Sequence, residues 1–158
     1  MISVALLTLV LQAASPSTAN SPATDQAGVL ATIDAVFAAL EAGDGAALLD
    51  HVYAEGRLTA VGVRRDGSVG ARRESFAEYS ARLKLGQGFT ERITDPVIAV
   101  DADIATVWAP FTVTRGGKLA NCGVDHFDLV REGGVWKVMN LTFSSRTSNC
   151  LPASGQGG

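Results

Sequence analysis

Gly123-Val-Asp-His-Phe-Asp-Leu-Val-Arg-Glu-Gly-Gly-Val-Trp-Lys-Val-Met-Asn-Leu-Thr-Phe143 is the stretch on which the fold turns. Its side chains alternate in character around a Gly133-Gly134 turn, the pattern of two strands joined by a hairpin. The same pattern continues upstream. Leu119 to Arg131 and Trp136 to Ser145 read as the last strands, preceded by Ile104 to Thr114 and an Arg115-Gly-Gly117 turn. Before these comes Phe89 to Val100, interrupted near Asp95-Pro96 and followed by an Asp101-Ala-Asp103 turn. Connections this short force antiparallel neighbours.

The chain upstream of this meander is helical in pattern. Val29, Leu30, Ile33, Val36, Phe37 and Leu40 fall on one helical stripe that begins near Gly28 and stops at Gly43. Asp44 is placed to cap a second helix running to about His51, whose position at the helix end suits a cation facing the dipole. Arg57 to Val63 and Val69 to Ala71 read as a hairpin turning on Asp66-Gly67. Ser75-Phe-Ala-Glu78 is a capping box, which opens a third helix to about Leu85, closed by Gly86. The fold expected is therefore α+β: three N-terminal helices packed on a strongly curved antiparallel sheet.

The ends of the chain bear on where it works. Residues 1–19, MISVALLTLVLQAASPSTA, carry no charged side chain, and their apolar run is too short to span a bilayer as a helix. They read as a signal peptide, with Ser17-Thr18-Ala19 as the cleavage segment; the n-region has only the terminal amine for a positive charge. Residues 20–25 read as a polar spacer, 26–150 as a single domain, and 151–158 as a disordered tail. A periplasmic or secreted location follows, with no stable membrane insertion after cleavage.

Cys122 and Cys150 are the only cysteines, an even number in an exported chain, so a disulfide is expected. It would contribute roughly 3.5 kcal/mol on the chain-entropy account. Neither cysteine has a Cys or His at ligand spacing, so no metal site is expected. With 13 basic and 16 acidic residues and a net charge of −3, the chain has no nucleic-acid footprint. The cluster Arg64-Arg65 and Arg72-Arg73, flanking Asp66 and Glu74, reads as a solvated hairpin.

The order of elements resembles the nuclear transport factor 2-like superfamily, a cystatin-like cone. Leu48-Leu-Asp-His-Val-Tyr-Ala54, Gly123 to Val130 and Gly134-Val-Trp-Lys-Val-Met-Asn140 are similar to its SnoaL-like and lumazine-binding branches. The resemblance spans about residues 26–147 and implies the fold. It leaves the chemistry open, because isomerases, hydrolases, dehydratases, ligand binders and non-catalytic adaptors share this cone. It also implies that Tyr53 and Arg57 stand where relatives place pocket groups, and that the sheet is a surface for a homodimer. The Asp-bearing motif of the catalytic relatives is replaced by Ala54-Glu55-Gly56.

Strand alternation sorts the remaining candidates. One parity holds Thr106 and Trp108, then Val124, His126, Asp128 and Val130, then Trp136, Val138, Asn140 and Thr142. The opposite parity, read as the apolar one, holds Val107, Ala109 and Phe111, then Asp125, Phe127 and Leu129, then Lys137, Met139, Leu141 and Phe143. If the mixed set lines the cone, His126 and Asp128 form an acid–base pair, Asn140 an oxyanion donor, and Trp108, Trp136 and Thr142 walls for a ring-shaped ligand. If the apolar set faces the helices instead, the mixed set is an outer, solvated or dimerising face. The sequence supports binding of a small organic ligand without a cofactor first, a proton-transfer enzyme (isomerase, dehydratase or cyclase type) second, and a self-assembling module third.

Overall fold

In the computed structural model, which describes residues 22–63 and 67–150, the helical stripe around Val29 belongs to a longer helix than its periodicity marks. Helix α1 runs Pro22–Ala42, with Val29, Ile33, Val36, Phe37 and Leu40 buried along one side. It begins inside the stretch read as a spacer. Proline suits a first helical turn, and Asp25, one turn in, is buried against Arg131 in an ion pair. The expected signal peptide at 1–19, residues 64–66 of the expected hairpin turn and the expected tail at 151–158 lie outside the described residues. Ala23–Ala42 is apolar and long enough to cross a membrane, yet the apolar side of this helix is buried in the protein core.

Gly43 ends α1 at φ +70, where a Cβ would lie 2.0 Å from the Lys84 carbonyl oxygen. Asp44 then caps α2 (Gly45–His51), its Oδ1 accepting from the N–H groups of Ala46 and Ala47 at 3.0 Å each. The chain passes straight into β1 (Val52–Val63) and returns as β2 (Val69–Ser75). The capping box forms as read: Ser75 Oγ accepts from the Glu78 N–H, and Glu78 accepts from the Ser75 N–H. The helix it opens, α3 (Phe76–Ser80), is shorter than expected. Beyond it the N–H groups of Arg82 and Leu83 bond three residues back, tightening the chain into turns.

The strands after Gly88 are β3 (Thr90–Ile93), β4 (Val97–Asp101), β5 (Ile104–Arg115), β6 (Lys118–Glu132) and β7 (Val135–Ser145). They join a seven-stranded sheet in the order β2-β1-β7-β6-β5-β3, with β4 also pairing β5. β1 and β7 run parallel, a departure from the all-antiparallel expectation. No hairpin joins them: they come from opposite ends of the fold, and nothing local constrains their relative direction.

The core settles which parity is inward. Val107 and Ala109 on β5, and Phe127 and Leu129 on β6, are almost wholly buried in one cluster with Val29, Ile33 and Phe37 of α1. Each large apolar side chain so enclosed contributes about 1.5–3 kcal/mol. On β7 the parity reading needs correction. Asp128 pairs with Asn140 but Leu129 pairs with Val138, so Met139 is an extra residue in a bulge. Trp136 and Val138 therefore face the helices, whereas Asn140 and Thr142 face outward. Trp136 packs against Gly28, where a Cβ would stand 3.1 Å from the indole, and the Arg131 guanidinium stacks over the ring at 4.8 Å.

Cys122 and Cys150 are bonded, with Cα atoms 5.6 Å apart and a sequence separation of 28. Beside the bond, Cys122 and Arg146 exchange two backbone hydrogen bonds of 2.9 Å, extending the ladder past β7. Reducing this bond is expected to lower the unfolding free energy by about 3.5 kcal/mol, read from urea titrations with and without a phosphine reductant. Coincident titrations would show that the loop is held by its other contacts.

Candidate functional site

Two carboxyl groups lie where the fold is otherwise apolar. Glu91 stands on β3 opposite Val113, and Asp125 on β6 between Ala109 and Phe143. Both are on the helix-facing side, 8% and 1% exposed. No donor among the described residues bonds to either Asp125 side-chain oxygen, and no cation pairs with Glu91 or Asp125. The partner left for each carboxyl is the other, through a shared proton.

The electrostatics assign that proton. Burial penalises the charged form and pushes the Glu91 carboxyl up to about 7, with its hydrogen bond to Asp125 pulling the other way. Burial likewise lifts Asp125 well above the ordinary carboxylate range, reinforced by the neighbouring Glu91 charge and by the same hydrogen bond. Asp125 is therefore the acid of the pair and donates to Glu91. Both carboxyls thus keep protons to higher pH than ordinary carboxylates, the condition for a pair that donates and accepts hydrogen bonds in one place.

The pair has a neighbour that reaches the surface. Burial raises the Tyr79 phenol, and the Glu91 charge raises it further. Tyr79 also lines a cleft of about 230 Å³ with Arg82, Lys84, Gln87, Phe89 and Arg115. The Tyr79 ring lies under the Arg82 guanidinium at 4.8 Å, and Arg82 is held by Glu74, with one bond of 3.0 Å from Nε. Tyr79, Leu83 and Phe89 pack on the core, so the cleft has an apolar floor.

The residues favoured from sequence lie mostly elsewhere. Trp108, His126 and Thr142 are consecutive partners across β5, β6 and β7 on the outward face, and Thr106, Asp128, Asn140 and Arg57 form the next row. His126 Nε2 is 3.8 Å from Asp128 Oδ1, with both side chains about two-fifths exposed. The Trp108 and His126 rings are 6.0 Å apart. Asn140 accepts the Arg57 N–H at 3.1 Å, a bond within the sheet. Trp136 is across the sheet in the core, and the Tyr53 hydroxyl is enclosed beside Glu132. His51 ends α2 as expected. The structure thus gathers Arg57, Trp108, His126, Asp128, Asn140 and Thr142 on one open face rather than in an enclosed pocket.

Glu91 and Asp125 escaped the sequence reading, although both carried a signal. Asp125 sits in the same parity as Phe127 and Leu129, which is therefore not wholly apolar. Glu91 alternates with Phe89 and Ile93 in the same way. A lone acid in a core-facing strand parity is the informative kind of exception.

With this geometry in place, the comparisons fix the family. The SnoaL-like domain model matches residues 21–142, and the chain belongs to this branch of the nuclear transport factor 2-like superfamily. A cystatin-like protein of unknown function from Nostoc punctiforme PCC 73102 is similar in structure, with TM-score 0.63, 16% identity, and 82% of this chain and 96% of that one covered. A nuclear transport factor 2-like protein of unknown function from Shewanella baltica OS155 gives TM-score 0.59 at 12% identity, covering 82% and 100%. A proposed dehydratase of the same family from Streptomyces avermitilis gives 0.60 at 20%, covering 81% and 100%. At these identities the likeness concerns the fold alone. No curated protein matches the chain in sequence.

The buried pair has a measurable signature. The folded chain keeps protons that the unfolded chain releases, so its stabilising contribution is complete below about pH 4 and is lost as pH rises through about 7. Stability is expected to fall over this range by up to about 1.4 kcal/mol per pH unit for each proton held in excess. The double variant Glu91→Gln, Asp125→Asn should flatten the profile. Urea midpoints measured from pH 4.5 to about 8.5 check this, and an unchanged slope in the variant would refute the protonated pair.

Proposed function

We propose that this chain is an exported domain that binds a small organic ligand at the Glu91–Asp125 pair inside the cone, without turnover. The carrying observation is the pair itself: two carboxyl groups buried together, with no cation pairing with them among the described residues. Burial of this kind costs stability, and such costs concentrate at binding and catalytic sites. A carbonyl, ether or hydroxyl oxygen of the ligand would take the Asp125 proton in place of Glu91, and Tyr79, which feels the Glu91 charge, also lines the surface cleft. The signal-like residues 1–19 and the Cys122–Cys150 bond support export to an oxidising compartment. Chemistry of this kind requires no cofactor.

A second reading draws on one specific feature. A Glu91 carboxyl poised at about 7 can take a proton near neutral pH while Asp125 supplies one. The domain would then be a proton-transfer enzyme of isomerase, dehydratase or cyclase type, with Glu91 as base in place of His126 or Asp128. Native mass spectrometry of protein purified from its own host tests both readings. The native chain should carry a retained small molecule that the Glu91→Gln, Asp125→Asn double variant lacks. Recovery of a chemically altered compound after incubation selects the enzyme, and an identical adduct on the variant would overturn the site.

The outward face suits a second copy of the chain. Val97, Ile104 and Trp108 are 68%, 60% and 56% exposed; Val97 pairs directly with Trp108, and Ile104 lies four residues before Trp108 on the same face of β5. A two-fold axis near Trp108 would place this patch on itself, covering His126 and Asp128. Trp108→Glu should convert a dimer to a monomer in sedimentation velocity without loss of folded signal. A native chain that sediments as a monomer throughout the micromolar range would exclude this arrangement.

A further inference from the structure

We propose that the ligand is a small organic anion with one planar apolar group, its negative charge held by Arg115 and Lys84 at the cleft mouth. This rests on the reading of the cone as a ligand site and adds the chemical class. The cleft beside Tyr79 is lined by three cations, Arg82, Lys84 and Arg115, and by no acidic side chain. Arg82 is neutralised by Glu74. Among the described residues no carboxylate pairs with Arg115 or Lys84, although the whole chain is acidic, with net charge −3. A cationic mouth kept free of counter-charge on an acidic protein attracts anions and repels cations.

The apolar half of the ligand is defined by the same walls. Arg115 stacks over the Phe89 ring at 5.1 Å, and Phe89 and Tyr79 together offer flat surfaces continuous with the core. A guanidinium already stacked on a ring is oriented to present its edge to a carboxylate lying beside that ring. The volume of about 230 Å³ admits a single ring with a short side chain. Tyr79 forms one wall of this cleft and also feels the Glu91 charge, so the end of the ligand remote from the anion lies on the side of the carboxyl pair.

The test compares trans-cinnamate with cinnamamide, which share shape but not charge, by calorimetric titration of the disulfide-bonded chain at pH 7 and low salt. Cinnamate is expected to bind at least about tenfold more tightly than the amide, with the preference lost in high salt. Arg115→Gln, an exposed change that leaves the core intact, should make the two bind alike, and Arg115→Lys should restore part of the difference. Equal binding of both compounds by the native chain overturns the anion class and leaves the ligand site standing. Cinnamate binding that survives Arg115→Gln overturns the assigned mouth. Binding of neither compound at millimolar concentration overturns this inference; coupled with an empty native mass spectrum, it also removes the reading beneath it.

Discussion

The packing of α1 on the sheet sets the terms for the rest of the molecule. A strand buries every second side chain, and the stripe Val29, Ile33 and Phe37 joins one parity of β5 and β6 in a single core. Once Val107, Phe127 and Leu129 are inside, Asp125 must be inside too, and His126 and Asp128 must be outside. No local preference of these three polar residues is consulted. On β7 the bulge at Met139 resets the rule, bringing Trp136 under α1 while leaving Asn140 and Thr142 on the open side.

That constraint explains why His126 and Asp128 lie on the outward face. The outward row Trp108–His126–Thr142 has the residue types of a binding site but the surroundings of a surface, where water screens charge and competes for hydrogen bonds. Glu91 and Asp125 have unremarkable residue types and unusual surroundings. In an apolar interior a carboxyl keeps its proton and becomes a donor. The proposed site is set by its environment more than by the identity of the side chain.

Much of the fold was legible in the residues. Gly43, Asp44 and the Ser75–Glu78 box mark local boundaries that depend only on neighbours in the chain, and they lie where the sequence puts them. The glycine-rich hairpin turns fix the β5-β6-β7 order for the same reason. The parallel pairing of β1 with β7 was not legible, since it joins segments about eighty residues apart with no turn to set their direction. Nor was the bulge: one extra residue in a regular alternation leaves no mark when Met139 and Leu141 are both apolar. The start of α1 depends on Asp25 meeting Arg131, a contact between the two ends of the fold. The acidic pair was within reach, because Asp125 broke an otherwise apolar parity, but identifying its partner required knowing that β3 lies beside β5.

The place of β2 at the end of the sheet has a consequence for how copies of this chain meet. An edge strand offers unpaired backbone groups to any passing strand, and such edges are where proteins polymerise. β2 carries Arg72 and Arg73 side by side, so their side chains project to opposite faces of the edge. A copy approaching edge to edge would bring its own arginines against them on both faces. Growth of the sheet into a ribbon is thereby discouraged on this side, which leaves the broad face as the surface for the proposed pairing of copies.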